Sequence, residues 1–149
     1  MSILRCALLL ALVAACMGAP SPAEKEVLIR AVSSYNTALR QAYHDANLAY
    51  MSPHVTEKEL NRLFPVLQAL RSSGNRMVAI QEEFQVLRVR LRGRKAQVET
   101  TERWLYWWES LSTGRISKPK QSIRYRIRYH LRKEDGRWKV HFLEALPGP

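Results

Sequence analysis

Cysteine is nearly missing from this chain of 149 residues: only Cys6 and Cys16 are present, and beyond residue 16 there is none. Thiolate zinc sites, internal disulfides and cysteine nucleophiles are therefore excluded from the body of the protein. No apolar run reaches the ~20 residues of a membrane-spanning helix. Acidic side chains are few, 13 against 24 lysines and arginines, which leaves a net charge of +11. Repeats and low-complexity segments are also lacking. The apolar share is 46%. At this length a fold buries roughly 65–70% of the surface its unfolded chain exposes, enough for an ordinary core without a metal or cofactor to support it.

Residues 1–15 read as a secretory signal: Arg5 near the start, an apolar stretch from Cys6 to Ala15, then small residues. Val13-Ala14-Ala15-Cys16 closes that stretch. It resembles the bacterial lipobox, in which an aliphatic residue and two small ones precede an invariant cysteine. The resemblance implies cleavage before Cys16 and its diacylation. Ordinary signal-peptidase cleavage after Ala15 also fits and would leave Cys16 a free thiol. Met17, in place of an acid, implies the outer membrane by similarity to sorted enterobacterial lipoproteins. Residues 16–20 are then the lipidated cysteine and a short tether, and 21–149 one domain facing the periplasm.

Ser21-Pro22-Ala23-Glu24 combines a capping box with proline at the first helical position. Leu28, Ala31, Tyr35, Ala38, Leu39, Ala42, Ala46 and Ala49 continue at helical steps, which predicts one helix about thirty residues long ending near Ser52-Pro53. Thr56 and Glu59 form a second capping box before Leu60, Leu63, Phe64, Leu67 and Leu70. Pro65 interrupts this stripe, so two short helices or one kinked helix are expected.

After residue 83 the period changes to two. Leu87, Val89 and Leu91 alternate with Arg88, Arg90 and Arg92 before a Gly93-Arg94 turn. Pairing across that turn sets Val89 against Val98, Leu91 against Ala96 and Arg88 against Glu99, so apolar and charge complementarity agree on one register. A long strand runs from Ala96 to about Glu109, and 112–120 read as a polar loop. Ile123, Tyr125, Ile127, Tyr129 and Leu131 then alternate with Arg124, Arg126, Arg128, His130 and Arg132. After the Lys133–Gly136 turn, Trp138, Val140 and Phe142 are expected opposite Leu131, Tyr129 and Ile127, with Leu87 and Phe142 buried in the shared core.

The layout is α+β: a long N-terminal helix and short kinked helices packed on a curved antiparallel sheet of about four long strands. This order resembles the nuclear-transport-factor-like cone fold of ketosteroid isomerase and scytalone dehydratase. It is more similar still to the cone-type C-terminal domain of plastid and cyanobacterial division proteins, through Arg94–Glu102, Ser122–His130 and Lys133–Val140. A lipoprotein signal leading straight into one domain departs from the division-protein architecture. In the superfamily's enzymes, the resemblance implies, a pocket between helices and sheet holds acids, histidines and tyrosines.

Three groups are candidate sites. Alternation sends Arg88, Arg90, Arg92, Arg124, Arg126, Arg128, Arg132 and Lys139 to the face away from the apolar one, either as a solvated face or as a contact for a polyanion. Tyr125, Glu144 and Glu102 fall on the inward face as pocket candidates, with Glu144 opposite Tyr125 and with Tyr43, His44 and Asp45 on the first helix. Trp104, Trp107 and Trp108 lie in one strand, and Trp107 on the outer face reads as a covered edge, a dimer contact or an interfacial contact. His54, His130 and His141 are scattered, and the arginines around the last two oppose a metal. The expected function is an envelope-anchored, non-catalytic binding or scaffold module held to the membrane by its lipid. Its partner would be an acidic protein or an anionic envelope polymer, and export argues against nucleic acid. The alternative is a small-molecule-binding or isomerase/dehydratase-like protein using the cone pocket.

Overall fold

The computed structural model describes residues 19–148, so the signal and Cys16 lie outside the described residues. The first helix, α1, spans Pro22–Asp45. Ser21 Oγ accepts the Glu24 N–H at 3.2 Å, and Glu24 Oε2 accepts the Ser21 N–H at 2.8 Å, which completes the expected capping box. The helix is shorter than its apolar stripe suggests. Ala46 turns left-handed at φ 49° and returns its N–H to Ala42, and Asn47 caps a separate 3₁₀ turn over Leu48–Tyr50.

Helix α2 spans Glu57–Ser72 as one element with Pro65 inside it. Its expected capping box is not made. Thr56 Oγ1 sits 2.8 Å from His141 Nδ1 on the last strand, while Glu59 turns inward and is fully buried. There Glu59 accepts the Tyr35 hydroxyl at 2.7 Å and two bonds from Arg62 at 2.6 and 2.8 Å. Four strands follow, β1 (Asn75–Arg92), β2 (Lys95–Ser110), β3 (Ile116–Glu134) and β4 (Arg137–Ala145), paired in that order in one antiparallel sheet. β1 therefore starts well before residue 83, and β3 takes in most of the expected 112–120 loop.

The β1–β2 register contains Val89 against Val98, Leu91 against Ala96 and Arg88 against Glu99, as the sequence indicates. Register shifts between Gln81 and Glu83 and between Val86 and Arg88 leave Glu82 and Leu87 as extra residues. Leu87 is 45% exposed, so the expectation that it joins the core fails at this bulge. Bulges bend the strand that carries them. The curved sheet thus wraps the helices, and Met77, Ala79, Phe84, Val86, Val89 and Leu91 line or flank the interior although their spacing is uneven. Leu28, Val32 and Tyr35 of α1, Leu63 and Leu67 of α2, and Val98, Tyr129, Leu131 and Val140 of the sheet close the core.

The last hairpin also differs from expectation. Leu131 faces Val140, not Trp138, and a shift between His130 and Leu131 then sets His130 against Phe142 and Tyr129 against Leu143. This irregularity exchanges faces. Phe142 stacks on the His130 ring, centroids 4.0 Å apart, and Leu143 takes the inward place. Glu144 lies opposite Arg128 in consequence, and the predicted Glu144–Tyr125 pair does not form.

Candidate functional site

Between α1 and the sheet lies an open cavity of about 420 Å³, within the range of small-molecule pockets. Its walls are mostly apolar and aromatic: Leu39 and Tyr43 of α1, Trp104, Tyr106 and Trp108 of β2, Tyr125 and Ile127 of β3, and Leu143 of β4. Strand parity explains the aromatic wall, because Glu102, Trp104 and Tyr106 alternate along one face of β2. Two of the three predicted pocket residues, Tyr125 and Glu102, line the cavity, and the structure places Glu144 on the other face.

Glu102 is the buried acid of the cavity, 1% exposed. Its Oε1 accepts from Tyr129 Oη at 2.7 Å and Thr100 Oγ1 at 2.8 Å, and its Oε2 from Trp104 Nε1 at 2.7 Å and Gln81 Nε2 at 3.0 Å. A carboxylate offers about four lone-pair sites, and four donors occupy them. Burial first, then the Glu102 charge, pushes the Tyr129 phenol well above its ordinary range. This network fixes the cavity wall and leaves no idle base.

Polar atoms without partners lie next to it. Asn36 is 2% exposed, its Oδ1 lies 3.1 Å from Tyr129 Oη, and its Nδ2 is unbonded. The phenol has one proton, and the Glu102 carboxylate takes it. Turning the Asn36 amide by half a turn lets Nδ2 donate to Tyr129 and leaves Oδ1 as the open atom. In either orientation one amide atom is free in the cavity wall. Arg40 Nε is buried and unbonded as well, and Arg62 stands at the same cavity with two donors committed to Glu59. Burial, then Tyr106, pushes the Tyr125 phenol up to about 12. Tyr43 is raised by burial too. Sequence reasoning missed Asn36 and Arg40, since a helical asparagine and arginine carry no pattern that distinguishes them from surface residues.

On the outer face the eight predicted cations divide into two sets. Arg124 pairs with Glu83 at 3.1 Å, Arg126 lies 3.8 Å from Glu99, and Arg128 joins Glu99 at 2.9 Å and Glu144 at 3.0 Å. Lys139 reaches Glu134 at 4.0 Å. Arg88, Arg90, Arg92 and Arg132 make no ion pair among the described residues. Trp104 and Trp108 belong to the cavity. Trp107 donates its indole N–H to Glu109 at 2.8 Å on the other face, and Lys120 covers its ring at 4.6 Å. His44 binds Asp45, and Asp45, also bonded by Gln41 and Tyr50, is held down to about 2. That cluster lies outside the cavity wall.

No protein-family model and no curated protein matches the sequence. Solved structures do match its fold. The chain is similar to the intermembrane space region of the chloroplast protein ARC6, with TM-score 0.71 and 16% identity over 80% of this chain and 93% of that one. A periplasmic fragment of TraM matches with TM-score 0.54 and 12% identity over 78% and 96%. A ketosteroid isomerase-like protein from Erwinia carotovora atroseptica matches with TM-score 0.52 and 16% identity over 86% and 100%. The fold is thus an α+β cone, two helices on a curved four-stranded antiparallel sheet, and it resembles the nuclear-transport-factor-like type.

Proposed function

We propose that this protein is a non-catalytic binding module of the bacterial envelope, tethered through a lipid on Cys16. Its cone would hold a small amphipathic ligand, and its basic sheet face would contact anionic surroundings. One observation carries the pocket reading: an open aromatic cavity of about 420 Å³ whose only buried acid, among the described residues lining it, already accepts four hydrogen bonds. Such walls suit a flat apolar body, and the open Asn36 amide atom and Arg40 Nε suit a polar or anionic end. An envelope address draws support from the signal-like N-terminus and from structural likeness to an intermembrane-space region and a periplasmic fragment. No helix of the described residues is long and apolar enough to cross a membrane.

The test is a titration with anilinonaphthalene sulfonate, an aromatic body with one anionic end, followed by tryptophan emission because Trp104 and Trp108 line the site. Saturable one-to-one binding that Ala79→Trp abolishes, with the far-ultraviolet dichroism and the thermal midpoint unchanged, is the expected result. Binding that is unaffected by filling the cavity would sink the reading. A second reading, an isomerase- or dehydratase-like enzyme, is favoured by the acid–phenol pair of Glu102 and Tyr129 beside the cavity. It requires Glu102 to release donors, and it predicts deuterium exchange at the α-carbon of a cyclic ketone that Glu102→Gln eliminates.

A further inference from the structure

Three cross-strand rows on the outer face differ in charge. The row Arg88, Glu99, Arg128, Glu144 alternates in sign and is closed by the ion pairs of Arg128. The next is Arg90, Gln97, His130, Phe142. The last, Arg92, Lys95, Arg132, Lys139, consists of cations alone. Like charges set directly opposite one another destabilise a sheet, and the β1–β2 register could have been supported by complementary pairs as it is two rows away at Arg88 and Glu99. A cleft of about 400 Å³ opens over these two rows, lined by Arg90, Arg92, Lys95, Arg132 and His130 with no acidic side chain in its wall. Glu144, the acid bonded to His130, is engaged with Arg128 as well.

We propose that this cationic end of the sheet docks on the phosphate headgroups of anionic phospholipids. Arginine forks and an ammonium around an open cleft match phosphate oxygens. The choice of a membrane over free phosphate rests on the envelope-anchor reading above and on where the described chain begins. Lys133, near the end of β3 and donating its N–H to Arg94 O at 2.9 Å beside the first hairpin turn, is among the charges acting on Glu24 in the first turn of α1, so the chain enters the fold at this end. Five residues from Cys16 to Ser21 reach at most roughly 17 Å. An anchored chain therefore presents this end, and not the opposite β2–β3 loop, to the bilayer.

The test uses a chain beginning at Met17, which carries no lipid, so failure of the Cys16 reading leaves the result interpretable. The core and the apolar residues packed on it lie between Leu28 and Leu143, and this chain retains them. Partition onto phosphatidylcholine vesicles with and without phosphatidylglycerol is measured by sedimentation. Binding is expected only with phosphatidylglycerol, and Arg92→Gln with Lys95→Gln and Arg132→Gln should lower it about 100-fold, roughly 5-fold per charge. A matched control, Arg115→Gln with Lys118→Gln and Lys120→Gln, removes the same charge from the other end and should cost less than about 5-fold. Thermal midpoints of both variants report that the fold is intact. Equal losses in the two variants would mean that net charge alone drives adsorption and would overturn the proposal. So would absence of binding to phosphatidylglycerol vesicles, including the case in which inorganic phosphate raises the thermal midpoint through the same three residues.

Discussion

The Tyr129 hydroxyl donates to Glu102 Oε1 across 2.7 Å, and both residues are about 1% exposed. A sheet tyrosine thereby holds the one acid among the described residues of the cavity wall, and the α1 residue Asn36 joins the same phenol. Tyr129→Phe removes the donor and leaves the buried carboxylate one partner short. A loss of about 1–3 kcal/mol in urea unfolding is expected. Glu102→Gln brings an amide N–H₂ against donors, and a similar or larger loss should follow. Parent-like stability in both variants would show that the network does not hold the wall.

Glu59 presents the same problem differently, because its carboxylate is fully buried while Arg62 remains half in water. Removing one partner of a buried charge leaves it uncompensated, at about 3–5 kcal/mol, reduced here because Arg62 is exposed. Arg62→Ala should therefore destabilise more than Tyr35→Phe, which leaves the two arginine bonds in place. The reverse order in chemical denaturation would show that the tyrosine, not the ion pair, supports Glu59.

What was legible in the sequence follows from where the strand period runs unbroken. From Ala96 to Trp104 and from Ile123 to Leu131 the alternation is continuous, and the first hairpin register could be read from three pairs. β1 carries two phase slips, so its inward residues 77, 79, 84, 86, 89 and 91 match no single period, and its first half was invisible. The shift between His130 and Leu131 likewise concealed that Leu143 faces inward and Glu144 outward. Glu59 was misread because a capping box and a buried ion pair use the same residue types. The resemblance to a cone pointed to a pocket, and Tyr125 and Glu102 do line one, but whether it is open could not be read from the strands, since apolar parity describes a filled and an empty cone equally well.

That account is testable at two leucines. Leu143→Ala, on the inner face, should cost about 2–4 kcal/mol, while Leu87→Ala at the exposed bulge should stay within about 0.5 kcal/mol. Similar losses at both positions would place Leu87 in the core and remove the bulge.

The pH dependence of stability has a defined sign at His141. Burial first, then Arg132 and Lys58, lowers its pKa below the ordinary 6.5, with Glu134 opposing and His130 adding slightly. Burial lowers His54 too. The unfolded chain thus binds protons that the folded one refuses, so stability is fully present above about pH 6.5 and falls as pH drops through the lowered folded values. His141→Asn retains a side chain able to reach Thr56 and should flatten the decline in thermal midpoint between neutral and mildly acidic pH. An unchanged slope in His141→Asn would assign the decline to His54 or to the carboxylates.

The lipid anchor is the remaining expectation, and its chemistry permits a direct readout. A single acyl chain gives only marginal membrane binding, and stable attachment takes two signals; diacylation of Cys16 would supply them. Expressed with labelled palmitate in a bacterium that processes lipoproteins, the parent chain should carry label, Cys6→Ala should carry it equally, and Cys16→Ala should carry none. Processing after Ala15 would still release the Cys16→Ala chain, since small residues remain at the cleavage site. It should then appear in the soluble periplasmic fraction. Label retained by Cys16→Ala, or absent from the parent, would remove the anchor. The cationic end of the sheet would then have to find the bilayer by charge alone, and its membrane association would fall steeply with ionic strength over a Debye length of ~8 Å at physiological salt.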